Sequence, residues 1–172
     1  DHVDNQEYLG YVAEEVRNWS YMKFPFIKSI GPENGWYRVG PLARINTCDF
    51  IDTPEAEAAR QELMALTDGK PNNLTLAYHW ARMIELLHSC EKIRDLVNDP
   101  DLQGDDLVAK GTKGHRGVGL IEAPRGTLFH DYTVDRQGVI QSVNMIIATG
   151  QNNLAMNRTV LEVARNYITG RE

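Results

Sequence analysis

The sequence predicts an α+β fold in which a helical bundle surrounds a small antiparallel β-sheet. Apolar residues recur at three- and four-residue spacing over long stretches, two short runs of strand formers are joined by Asp135-Arg136-Gln137-Gly138, and Gly and Pro clusters separate the periodic segments. With 172 residues, 42 % of them hydrophobic, the chain can bury a core of its own. A single domain over residues 1–172, itself a piece of something larger, is the expectation.

The elements follow in order. In residues 5–20, Leu9, Val12, Ala13, Val16 and Trp19 fall at helical spacing behind Asn5 as cap, which predicts an amphipathic helix. Pro25, Gly31, Pro32 and Gly35 punctuate residues 20–35, an irregular connection. Residues 36–46 open with strand formers, and Gly40-Pro41 halts the ladder, so a short strand and a turn are expected. Pro54 behind Thr53 starts a second helix that runs through Ala58, Leu63 and Leu66 to the terminator Gly69. Behind Pro71 and Asn72, the spacing of Leu74, Ala77, Trp80, Ala81, Ile84 and Leu87 predicts a third helix of about 24 residues. Residues 98–119, rich in Asp and Gly, read as a flexible loop. Strands at 127–134 and 139–147 flank a hairpin turn with Gly138 at positive φ. Leu154, Val160, Leu161, Ala164 and Ile168 then line one face of a last helix ending near Gly170.

Composition narrows the function. Acidic residues outnumber Lys plus Arg by 24 to 18, a net charge of -6, which gives no footing for nucleic acid or an anionic membrane surface. No apolar run approaches the roughly 20 residues that cross a bilayer, and no secretory signal opens the chain, so a cytoplasmic location is expected. Cys48 and Cys90 belong to no Cys-x-x-Cys pair, and no metal site is expected from cysteine here. The first residue, Asp1, and the last, Glu172, suggest an excised fragment.

Most of the charged and aromatic residues have plain readings. His2, His79, His88, His115 and His130 form no ligand pair, which argues against zinc. Gly111-Thr112-Lys113-Gly114 lacks the strand and helix of a phosphate cradle and reads as solvated loop. Glu55, Glu57 and Glu62 read as a solvated helix face, with Asp52 and Glu55 suited to its N-terminal dipole. Trp36, Tyr37 and Trp80 read as core or interface aromatics.

One stretch stands out, from Gly119 to His130. Between two strands, Pro124 fixes one φ, Gly126 lets the backbone turn without a Cβ, and Arg125 projects from a rigid corner. Its fork of five donors suits an anionic acceptor. The plain alternative is a turn whose Arg pairs with a neighbouring carboxylate.

Glu122-Ala123-Pro124-Arg125-Gly126, followed by Leu128 and His130, is similar to a signature of nickel-iron hydrogenase large subunits. Val39-Gly40-Pro41-Leu42-Ala43-Arg44-Ile45-Asn46 resembles the Gly-Pro-Leu-Ala-Arg segment of the same family, and Ile147-Ala148-Thr149-Gly150-Gln151-Asn152-Asn153 falls at its loop after the hairpin. In better-known members that loop reads Ser-Thr-Trp-Asn; the departure at Gly150-Gln151 looks like the cytoplasmic, NAD-reducing bidirectional type.

The resemblance implies the large-subunit fold and a NiFe(CN)2CO centre held by two Cys-x-x-Cys motifs, neither present in this interior to C-terminal piece. It implies Pro124 and Arg125 over the open metal position, Arg125 as the catalytic residue that stabilises charge, Thr149 as hydroxyl donor to a cyanide, and Leu128 as apolar lining. His130 is read as an orienting hydrogen-bond partner. The implied reaction is reversible cleavage of dihydrogen, with electrons leaving through an iron-sulfur small subunit to diaphorase subunits carrying FMN and NAD. The piece alone, lacking thiolates, is expected to hold no nickel or iron, to be inactive and to self-associate. The alternatives are a metal-free scaffold subunit related to the quinone reductase of respiratory complex I, and a plain interaction domain.

Overall fold

The computed structural model describes residues 3–168. His2 and the expected terminator Gly170 lie outside them. The helices and strands in chain order are α1 (Tyr8–Tyr11), β1 (Val12–Val16), β2 (Lys23–Ile27), α2 (Pro41–Thr47), α3 (Pro54–Ala65), α4 (Ala77–Leu96), β3 (Arg116–Ala123), β4 (Gly126–Val134), β5 (Ile140–Ile146) and α5 (Asn153–Tyr167), with short 3-10 turns at Asn5–Glu7, Pro100–Gln103 and Thr149–Asn152. The class is α+β, as expected. The chain gathers into two compact units, one from residues up to Gly40 together with those from Gly114 onward, the other Pro41–Lys113. All the described strands belong to the first.

In the first unit, β3-β4-β5 is an antiparallel sheet with β4 central, and β1-β2 is a separate antiparallel ribbon. The helix expected over residues 5–20 is corrected: helical backbone stops at Tyr11, and Val12 to Val16 pair with Ile27 to Lys23. The cap is Asp4, whose carboxylate accepts the Gln6 N–H at 2.8 Å, while Asn5 donates to the Val118 carbonyl at 3.1 Å. Leu9, Val16 and Trp19 are exposed, so the apparent helical stripe buries little and the ladder prevails. Pro25 is tolerated because each strand of a two-stranded ribbon is an edge. β3 begins inside the expected loop. Gly117 and Gly119 remove half of its strand pattern, but pairing with β4 fixes it from Arg116 onward.

The hairpin expected at 135–138 is present. Asp135 Oδ1 accepts the N–H groups of Gln137 and Val139, each at 2.9 Å, and Gly138 has φ 89°. Tyr8, Val12, Val118, Phe129 and Ile146 form the core, with the Tyr8 and Phe129 rings stacked at 5.0 Å. A buried polar group crosses it. Tyr8 donates to Asp131 at 3.1 Å and accepts from Asn144 at 2.7 Å, and Arg116 grips the Asp131 carboxylate with two bonds of 2.9 and 2.8 Å. Those Arg116 bonds hold the Asp131 carboxyl below its ordinary range although burial opposes them.

The last helix is anchored at its start. Asn153 donates to the Lys23 carbonyl at 3.2 Å, Arg158 to that of Glu33 at 3.1 Å, and the Arg158 guanidinium lies 4.7 Å from the Trp36 ring. The expected apolar face is corrected: Val160, Leu161 and Ile168 are exposed, because within this unit only the first turns pack.

The second unit is helical, with α2, α3 and α4 around Leu42, Ile45, Ala56, Leu63, Ala77, Ala81 and Ile84. The strand expected within 36–46 is absent from the described residues there; residues 36–39 are irregular and Pro41 opens a helix, where its fixed φ and missing N–H cost nothing. Thr53 does not cap α3. Its hydroxyl bonds His88 Nδ1 at 2.9 Å, and the buried Glu91 of α4 accepts the N–H groups of Ala56 at 2.9 Å and Glu55 at 3.2 Å. Burial raises the Glu91 carboxyl, yet these bonds outweigh it and leave the pKa lowered. Gly69, with φ 74°, returns its N–H to the Met64 carbonyl at 3.0 Å and ends the segment as expected. α4 starts at Ala77, later than its periodicity suggests, because buried Asn72 accepts the Leu74 N–H at 3.0 Å and exchanges bonds with Asn46. Glu57 is no solvated carboxylate: Arg60 holds it at 2.8 and 2.9 Å and the Ile51 N–H donates at 2.8 Å.

These carboxylates fix an acid dependence. Asp131 is lowered from 3.8, and Glu57 from 4.5 to about 2, led by its Arg60 bonds. A carboxyl with a lowered folded-state pKa contributes stability above its unfolded value and loses it as pH falls toward the folded one. The thermal midpoint should therefore drop steeply below about pH 4.5. Asp131→Asn combined with Glu57→Gln should flatten that slope; an unchanged slope in thermal melts between about pH 6 and pH 3 would contradict the assignment.

Candidate functional site at the Pro124-Arg125 turn

β3 and β4 are joined by a turn of only two residues, Pro124 and Arg125, with Ala123 paired to Gly126. Beside it, Thr127 donates to the Glu122 carboxylate across the same pair of strands, closing the base of the hairpin. Gly126 has φ 137°, and a Cβ there would sit 2.2 Å from Val39 Cγ2 and 2.8 Å from Val39 Cβ. Gly40 has φ 109°, and a Cβ on it would lie 3.1 Å from the Arg125 carbonyl oxygen. The turn is thus pressed closely against Val39-Gly40.

The 3-10 turn Thr149–Asn152 completes the arrangement. Asn152 treats Val39 as a strand would, accepting its N–H at 2.9 Å and donating to its carbonyl at 3.3 Å. Gln151, only 2 % exposed, accepts the Tyr37 hydroxyl at 2.8 Å and donates to the Thr127 carbonyl. Burial pushes the Tyr37 phenol up, so it stays a donor. Three segments well separated in sequence, around 37–40, 123–127 and 149–152, meet at one corner.

Arg125 and Pro124 are exposed at the tip. Among the described residues Arg125 makes no ion pair or side-chain hydrogen bond, so the plain reading of an Arg tied to a nearby carboxylate does not hold. Thr149, half-buried, directs no side-chain bond to any described residue either. Leu128 is half-buried on β4 opposite Ile121. His130 Nδ1 pairs with the Tyr132 hydroxyl at 2.9 Å and the rings stack at 5.6 Å. Arg44, from the second sequence block, belongs to the helical unit, where it forks onto Glu85 at 2.6 and 2.8 Å.

Sequence reasoning missed Tyr37, taken for a plain core aromatic, and Gln151 and Asn152, whose amides build the corner. A polar Gln-Asn pair between a strand and a helix was the available signal. For metals, no group of three or more His, Cys, Asp or Glu side chains is gathered among the described residues. Cys48 and Cys90 stand singly, with the Cys48 thiol raised by burial. The residues at this corner suit the surroundings of a metal centre, as hydrogen-bond donors and apolar lining, and cannot serve as its ligands.

Known proteins share this architecture. The chain is 48 % identical over 170 residues to the NAD-reducing hydrogenase HoxS subunit beta of Cupriavidus necator, covering 97 % of this chain and 35 % of that protein. It is 33 % identical over 116 residues to the sulfhydrogenase 2 subunit alpha of Pyrococcus furiosus, covering 64 % of this chain and 27 % of that one. The crystal structure of an NAD+-reducing [NiFe]-hydrogenase in the H2-reduced state superimposes with a TM-score of 0.94 at 48 % identity, over 100 % of this chain and 38 % of its own. The chain therefore spans little more than a third of these relatives at most. These likenesses lend no support to the metal-free scaffold alternative. Since the model of the nickel-dependent hydrogenase family matches residues 2–159, the three blocks that meet at the corner lie within a region typical of it, and the chain belongs to that family.

Proposed function

We propose that this chain is part of the catalytic large subunit of an NAD-reducing nickel-iron hydrogenase, and that its role is to hold Arg125 and Thr149 against the ligands of the metal centre. The observation that carries this reading is the convergence of three sequence blocks on one rigid turn, where the Arg125 guanidinium and the Thr149 hydroxyl have no partner among the described residues. Both are donors, and donors held rigidly without a protein acceptor are suited to an anion-like acceptor supplied from elsewhere. The names of the two NAD-reducing relatives support the choice of electron acceptor.

The centre, held by thiolates outside this chain, would supply reversible heterolytic cleavage of dihydrogen. Pro124 and Arg125 would cover its open side, Thr149 would donate to one cyanide, Leu128 would keep water from the diatomic ligands, and the positive charge of Arg125 would steady the charge that develops. Electrons would leave by an iron-sulfur small subunit for diaphorase subunits with FMN and NAD, in the cytoplasm. No described helix is long and apolar enough to cross a membrane. Without thiolates the piece alone would bind no nickel or iron and show no turnover, and residues 1–172 would be one portion of a larger catalytic body.

Three outcomes test this reading. Arg125→Lys in the assembled enzyme should lower dihydrogen turnover about 10- to 100-fold at unchanged nickel content, since Lys keeps charge and loses the planar fork; turnover equal to wild type would end the assignment. Gly126→Ala should destabilise the fold by about 3 kcal/mol or more, from overlap with Val39 and a φ unsuited to a side chain; thermal melts that match wild type would refute the close approach. Met156, Val160, Val163 and Tyr167 lie exposed at helical spacing on α5, so the isolated polypeptide should elute from size exclusion larger than a monomer. A single monomeric peak across concentrations would count against this.

A further inference from the structure

The corner contains one side chain that touches two of its segments from the third and exposes almost nothing. Gln151 is 2 % exposed, its oxygen accepts from Tyr37 at 2.8 Å, and its nitrogen donates to the carbonyl of Thr127, two residues beyond Arg125. It lies two residues after Thr149 and directly before Asn152, which grips the Val39 backbone at 2.9 and 3.3 Å. The amide therefore ties the loop that carries Thr149 both to the strand leaving the Arg125 turn and to the segment the turn is pressed against.

We propose that Gln151 is a positioning residue, which sets the placement of the Thr149 hydroxyl relative to the Arg125 guanidinium by bridging Tyr37 and the Thr127 carbonyl. The inference rests on the reading that those two donors face the diatomic ligands. An amide is required because the bridge needs one acceptor and one donor on the same planar group. The indole of the Ser-Thr-Trp-Asn loop donates only and could not accept from Tyr37. Burial makes the requirement strict, since an amide left half satisfied away from water carries its full desolvation cost. Because burial also keeps Tyr37 protonated, the bridge persists over the ordinary pH range.

The test uses the full-length protein in its assembled enzyme and reads the infrared stretching bands of the cyanide and carbon monoxide ligands beside nickel content and turnover. Tyr37→Phe removes the hydroxyl and keeps the ring; Gln151→Leu removes both bonds. Thr149→Val and Arg125→Lys are run beside them. The expected result is full nickel content in Tyr37→Phe, with a cyanide band displaced in the same direction as in Thr149→Val but by less, and turnover lowered about tenfold. If Tyr37→Phe and Gln151→Leu give wild-type bands while Thr149→Val moves one, the positioning role is wrong and the reading of the donors survives. If Thr149→Val and Arg125→Lys also leave every band in place, the reading fails and the inference with it. Should Gln151→Leu not assemble, the Tyr37→Phe spectrum decides.

Discussion

The close approach of two backbones, Val39-Gly40 on one side and Arg125-Gly126 on the other, is the constraint from which the rest of the corner follows. It exists because neither glycine has a Cβ and both have positive φ. With those atoms removed, the two stretches of main chain can close on each other, and side-chain amides from a third segment can span what remains. Pro124 adds stiffness at the tip, so the position of the guanidinium is set by covalent geometry and packing and not by a salt bridge to any described residue. A site that must present a cation to an outside acceptor needs its rigidity from elsewhere, and here the backbone supplies it.

Each unit solves the problem of a buried carboxylate in its own way. In the sheet-bearing unit Asp131 is satisfied by a guanidinium and a phenol, and the same phenol receives the Asn144 amide while its ring stacks on Phe129. In the helical unit Glu91 is satisfied by two main-chain N–H groups. Both arrangements exchange the hydration of a charge for directed bonds, the condition under which burial of an ion is tolerated.

Much of the fold was legible where the signal is local. α3, the body of α4 and the hairpin at Asp135 to Gly138 follow from capping residues, periodicity and turn chemistry within a few residues of sequence. Residues 5–20 misled because Val12 and Val16 fit a helical stripe as well as a strand, and the strand that decides the matter carries Pro25, which reads as a breaker. β3 was half hidden by Gly117 and Gly119, and the outward apolar residues of α5 gave a face without a partner in its unit. At the site, Pro124, Arg125 and Gly126 were readable because each residue type implies a backbone consequence. Gln151 and Tyr37 were not, since a bond across 114 residues leaves no mark in either local sequence.

The donor-acceptor pairing at the start of α3 has a kinetic meaning. Its first turn borrows its terminal acceptor from Glu91, 35 residues further along the chain in the case of Ala56. Nucleating a helix is its costly step, and an N-terminus without a local side-chain cap gains little help from its own neighbours. The beginning of α3 thus becomes secure only once α4 has formed and docked, which makes assembly of the three-helix unit a concerted event in which local and distant order arrive together.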